Sequence, residues 1–267
     1  MEILLITIFT LLGLAIGSFL NVCIDRLPRK KSLAFPPSHC DTCQHPLSIK
    51  DLAPVFSYLW LRGRCRYCAT RIPLRSLLVE IISGCLLPFS YWYHGLSAEF
   101  AVTAVYSYIF VVIMFIDWEH QLILNKITYP AALAALIISF FHQPIGIVEI
   151  SLPWPVVADG ISGIINSLIG GMAGFILFLI PILIYPRGMG WGDVKLAGLI
   201  GLALGFPLAI IALFIGIFIG GLVAIILLLS KRKGRKDAIP YGTFLAIGPI
   251  VTLFGGSAIL NWYLGLL

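Results

Sequence analysis

Charged side chains are scarce in this chain: Asp, Glu, Lys and Arg make up 11% of its 267 residues. A soluble domain of this size needs about 25%, because its surface must be solvated. The shortage excludes an ordinary water-soluble globule, and a mean hydropathy of +1.01 with 60% hydrophobic residues makes lipid the solvent for most of the chain. Acidic residues are fewer still, 12 against 18 basic ones. The resulting charge of +6 does not argue for nucleic acid, because the basic residues sit in short clusters between apolar runs. Also missing is a basic n-region: Met1-Glu2 opens an apolar run to about Ile24, long enough to span, which reads as a first membrane helix and not a cleavable signal.

What is present is a series of apolar stretches near 3–24, 76–93, 98–117, 123–141, 160–185, 206–230 and 242–264, with a shorter one at 194–205. A tight turn at Gly205-Phe206-Pro207 would divide the last long region in two, which predicts eight spans. Charge tests the parity. With the N-terminus outside, the inner segments are 25–75, 118–126, 186–195 and 231–241, and all eighteen Lys and Arg residues fall there. The outer segments hold none, and Trp92, Tyr93, Trp262 and Tyr263 fall at the outer interface. A seventh-span parity would put Lys231–Lys236 outside. The positive-inside rule therefore selects eight. The expected fold is an all-α polytopic membrane protein of about eight transmembrane helices with a small cytosolic zinc-binding domain. Its expected domains are a first helix at 1–24, the cytosolic module at 25–75 and a transmembrane domain at 76–267.

Cys40-Asp-Thr-Cys43 and Cys65-Arg-Tyr-Cys68 form two C-x2-C knuckles. Each aims two thiolates at one point, and two of them complete the tetrahedral four-sulfur set of a closed structural zinc site. The alternative is a pair of disulfides, which belongs to an oxidising compartment; the charge asymmetry places these thiols on the reducing side. His39 and His45 flank the first knuckle and could also be ligands. Cys23 and Cys85, inside apolar runs, read as small buried hydrophobes.

Two acids lie at the inner level. Asp117 ends the run Tyr108–Ile116, and Asp193 ends a Gly-rich turn, with Gly190 and Gly192 removing side-chain bulk around it. Singly, each reads equally well as an interfacial residue at a helix end. Together they are the minimum for aspartyl proteolysis, in which an ionised carboxylate activates water and a protonated one polarises the scissile carbonyl. A close pair shares one proton. A transporter or channel with a cytosolic zinc module stays open, though its polar groups belong at mid-membrane; a non-catalytic scaffold would leave both acids unused.

Gly190-Trp-Gly192-Asp193-Val-Lys195 resembles the G-x-G-D-x-K signature of the type IV prepilin peptidases, and Ile116-Asp117 through Asn125 resembles their first aspartate segment. Gly17 through Pro28 resembles the family's N-terminal segment, and Ser38 through Glu80 its zinc domain, with Leu124-Asn125 standing where Pro-Asp is usual. The resemblance implies a membrane aspartic endopeptidase of the cytoplasmic (inner) membrane. It would cleave the basic leader of prepilins or pseudopilins after a glycine and methylate the new N-terminal residue with S-adenosylmethionine. Peptidase activity without methyl transfer is the narrower alternative. Asp117 and Asp193 take the catalytic positions, supported by Gly190, Gly192 and the interfacial cation Lys195. Asn21, Arg26 and Glu80 are candidates at the methyl-transfer or cofactor site; Glu80 could instead pair with Arg71 or Arg75. The Lys231–Lys236 cluster reads as a topology determinant or an anionic-lipid contact.

Overall fold

A computed structural model describes residues 2–141, 160–185, 189–230 and 239–266. The expected linker at about 142–159, Arg187 and the Lys231–Lys236 cluster lie outside them. Among the described residues every regular element is a helix: α1 Glu2–Arg26, α2 Phe56–Trp60, α3 Leu74–His94, α4 Ala98–His120, α5 Asn125–Phe141, α6 Gly160–Ile184, α7 Trp191–Leu204, α8 Leu208–Leu229 and α9 Tyr241–Leu264. Apart from the five-residue α2, these match the eight predicted apolar stretches. Six are long and apolar enough to cross a membrane. At 1.5 Å per residue, α5 and α7 reach only about 26 and 21 Å, short of a hydrocarbon core of about 30 Å. The turn at Gly205–Pro207 does separate α7 from α8, with Gly205 at φ +69°.

The chain divides into two compact units, 1–104 and 105–267. In the first, α1 packs on α3 through small residues. A Cβ on Gly13 would stand 2.5 Å from the Ser83 carbonyl oxygen, and one on Gly17 2.8 Å from the Glu80 Cα. Gly13-Leu-Ala-Ile-Gly17 is thus a G-x3-G seam that lets two backbones touch where lipid supplies no hydrophobic drive between helices. In the second unit α7 is flanked by α5, α6, α8 and α9. That setting explains its composition: Val194, Leu196, Ala197, Leu199, Ile200, Ala203 and Leu204 are buried around the whole circumference. Gly201 meets Gly170 of α6 so closely that a Cβ there would lie 2.0 Å from the Gly170 carbonyl oxygen. A short helix enclosed this way depends on its neighbours and not on its length.

Candidate active site and metal centre

The second unit brings three helix ends together. Asp117 sits in the last turn of α4 and is 4% exposed. Its Oδ2 accepts the backbone N–H of Thr243 at 2.7 Å, and the Thr243 hydroxyl lies 3.0 Å from the same oxygen and 3.2 Å from the Met114 carbonyl. Pro240 caps α9, so Thr243 occupies its third position, where a helix has an amide with no intrahelical partner. A side chain from α4 therefore satisfies the start of α9. Gly242 makes the approach feasible, since a Cβ there would stand 3.0 Å from the Asp117 Cγ and 3.0 Å from the Ile123 Cδ1.

Asp193 occupies the equivalent place in α7. The helix begins at Trp191, three residues earlier than expected, because extended Gly190 (φ −83°, ψ 145°) serves as the N-cap. Asp193 is then the third helical residue, and its carboxylate turns back to accept the Gly190 N–H while its own amide bonds the Gly190 carbonyl at 3.0 Å. That is the acidic half of a capping box. Asp193 lies within Coulombic reach of Asp117 and of the Tyr241 hydroxyl. Both carboxylates thus face the positive ends of helices, where negative charge is stabilised. Ile123 bridges the two starts: it packs on Gly242 and also on Gly192, where a Cβ would stand 3.0 Å from the Ile123 Cβ. Lys195, two residues past Asp193, donates to Asn125 Oδ1 at 3.0 Å with its ammonium 5.7 Å from the Tyr129 ring, tying α7 to the start of α5.

Asp117, Asp193, Gly190 and Gly192 are the expected residues at this level; Gly242, Thr243 and Ile123 join them here. A signal existed. Tyr241-Gly-Thr243 opens an apolar run just as Trp191-Gly-Asp193 does, with glycine at the second helical position and an oxygen-bearing side chain at the third.

In the first unit the four thiols converge, with all Sγ atoms within 4.8 Å of one another and Cys40 and Cys68 3.7 Å apart. A tetrahedral ion with bonds of about 2.3 Å needs sulfurs about 3.8 Å apart, so the set fits a metal. The two knuckles repeat one backbone design. Cys40 N–H donates to His45 O and Gln44 N–H to Cys40 O; Cys65 N–H donates to Thr70 O and Ala69 N–H to Cys65 O. Gln44 and Ala69 close their turns at φ 56° and 57°. The crowded thiols polarise one another. Hydrogen bonds from the Thr70 hydroxyl and amide bring Cys68 down to about 6. For Cys43 the His45 amide favours the thiolate, yet burial and the neighbouring sulfurs push it up to about 11. Four thiolates can coexist there only around a cation.

His45 stacks on Tyr67 at 3.6 Å and its Nδ1 lies 2.8 Å from the Pro46 carbonyl; His39 Nδ1 lies 2.9 Å from the Pro37 carbonyl. Asp51 braces the module through Arg66 Nε at 2.7 Å and Ser48 Oγ at 2.7 Å. Nearer α3, Glu80 Oε2 accepts the Val55 N–H at 2.7 Å and a bond from Ser18. Asn21 donates to the Ser76 carbonyl at 2.9 Å and accepts from Arg75, while Arg26 binds the carbonyls of Ser32, Leu33 and Pro36. Arg26 and Glu80 thus hold the loop against α1 and α3, and Asn21 ties those two helices directly.

A multi-pass helical membrane protein with two buried-end carboxylates in one unit and a four-thiol cluster in the other defines a narrow class. Residues 11–94 match the bacterial peptidase A24 N-terminal domain and residues 104–225 the type IV leader peptidase family. The chain belongs to the type IV leader peptidase family. Among its relatives, a prepilin leader peptidase/N-methyltransferase of Pseudomonas putida is 30% identical, covering 95% of this chain and 92% of that protein. Proteins of the same name from Legionella pneumophila (30% identical, 96% and 93% covered) and Bacillus subtilis (27% identical, 97% and 98% covered) match as well. No solved structure matches the chain.

Proposed function

We propose that this chain cleaves the leader of type IV prepilins or pseudopilins and methylates the new N-terminal residue, with Asp117 and Asp193 as the proteolytic pair. The observation that carries the reading is the shared placement of their carboxylates, that of Asp117 at the start of α9 and that of Asp193 at the start of α7, near enough to repel one another. The ionised carboxylate takes a proton from water as the water oxygen bonds the scissile carbonyl carbon. The protonated partner gives its proton to the carbonyl oxygen. Collapse of the resulting diol breaks the C–N bond, the amine nitrogen takes up a proton, and the leader departs as a carboxylic acid. Gly190, Gly192 and Gly242 keep side chains clear of the pair, and the Lys195–Asn125 bond supports the loop.

Cys40, Cys43, Cys65 and Cys68 would hold zinc as a structural ion, closing the loop between α1 and α3; four thiolates leave no open position for catalysis. S-adenosylmethionine, when bound, supplies the methyl group to the freed amine. The bonds of Asn21, Arg26 and Glu80 suit a scaffold better than a reactive site, so no methyl-transfer step is assigned to them. The positive-inside pattern supports an inner-membrane orientation with the N-terminus outside and the thiol module in the cytosol. On this reading 1–24 is the first helix, 25–75 the zinc module and 76–267 the peptidase domain.

Incubating purified protein with a prepilin peptide and labelled S-adenosylmethionine tests both halves. Cleaved and methylated products are expected; D117N and D193N should each abolish cleavage while the protein stays folded. Cleavage retained by either purified variant would overturn the assignment.

A further inference from the structure

We infer that Thr243 is a positioning residue of the proteolytic pair: it occupies one oxygen of Asp117 and so confines the exchanging proton to the other. The inference rests on the peptidase reading of Asp117 and Asp193. Oδ2 receives the Thr243 amide at 2.7 Å and faces its hydroxyl at 3.0 Å. An oxygen accepting an N–H along one lone pair and an O–H along the other has no place for a proton of its own. Whatever proton the pair shares therefore sits on Asp117 Oδ1 or on Asp193, and water must be engaged at Oδ1.

The hydroxyl is placed to make this choice. It has a single hydrogen and two acceptors, the Asp117 Oδ2 at 3.0 Å and the Met114 carbonyl at 3.2 Å. The carbonyl lies on the same helix, three residues before Asp117, so Thr243 holds the end of α4 at two points. Bonds to a carboxylate oxygen are the stronger kind, and the contact to Oδ2 is also the shorter, so the hydroxyl donates there. The amide cannot switch. It is fixed in the first turn of α9, where no carbonyl competes for it. Burial of both partners keeps water from replacing either donor, since Asp117 is 4% and Thr243 3% exposed. One residue thereby fixes which oxygen works.

Val replaces Thr with the same shape but no hydroxyl, so T243V leaves the amide bond and the packing in place. T243V is expected to lower kcat for prepilin cleavage about tenfold, with KM within about twofold, because a bond to the charged state is lost and substrate contacts are not. T243S restores the oxygen and should recover most of that loss. Methyl transfer to an already cleaved pilin peptide, measured on the same preparations, should not change and serves as the control for folding. A T243V protein that cleaves at the parental rate overturns the inference, and so does a parallel fall of cleavage and methyl transfer, or a T243S no faster than T243V. Failure of the parent protein itself to cleave prepilin would instead refute the peptidase reading.

Discussion

At the scale of single residues, the site depends on side chains that are missing as much as on those present. Gly242 and Gly192 leave the space that Asp117 and Ile123 fill, and a methyl group at 242 would press on both. G242A is therefore expected to lower cleavage about 10- to 100-fold, as displacement of a reacting group does, with a modest fall in thermal stability from the overpacking. Peptide-cleavage kinetics beside a melting curve in detergent checks both. The knuckles carry the opposite case. Ala69 adopts φ 57°, a left-handed value that disfavours a Cβ. A69G should retain metal at least as well as the parent, gaining up to about 1 kcal/mol in the folded loop, read from competition with a chelator.

At the scale of elements, helix pairs meet through glycine, and the thiol module is held by a buried acid. In the α1–α3 seam, G13L would drive a side chain into the Ser83 backbone; overpacking of this kind costs about 1–3 kcal/mol and should appear as a lowered melting temperature of the first unit. Burial alone would raise the Asp51 carboxyl, but bonds from the Ser48 hydroxyl and amide and the Arg66 guanidinium outweigh it and hold it below the ordinary carboxylate range. A lowered carboxyl stabilises the folded loop fully above about pH 4 and loses that contribution as pH falls through the lowered value. Protection of the amides around Ser48–Asp51 against exchange should accordingly fall below about pH 4, and in D51N it should be low already at neutral pH. The helices themselves were legible from runs of apolar residues, since lipid demands them, and the G-x-G-D segment marked one acid. The partner of Asp117 was not, because a threonine 126 residues away becomes a donor only once α9 is placed. Nor did spacing reveal that Asp193 lies inside its helix, which required the extended backbone of Gly190.

At the scale of the molecule, the thiol cluster and the carboxylate pair belong to different compact units. Replacing Cys40 or Cys65 by serine should lower metal content and disturb methyl transfer more than proteolysis, whereas equal loss of both would argue against separate duties. The charge pattern makes a second forecast: a cysteine introduced at Ser97 should react with a membrane-impermeant maleimide in intact cells, and one at Gln121 only after lysis. The capped aspartates add a consequence of their own. Because α7 and α9 aim their peptide groups at the two acids, the counter-charge of the pair is built into the main chain and does not have to diffuse in from solution. Turnover should then be indifferent to added salt, since contacts built into the fold are screened little.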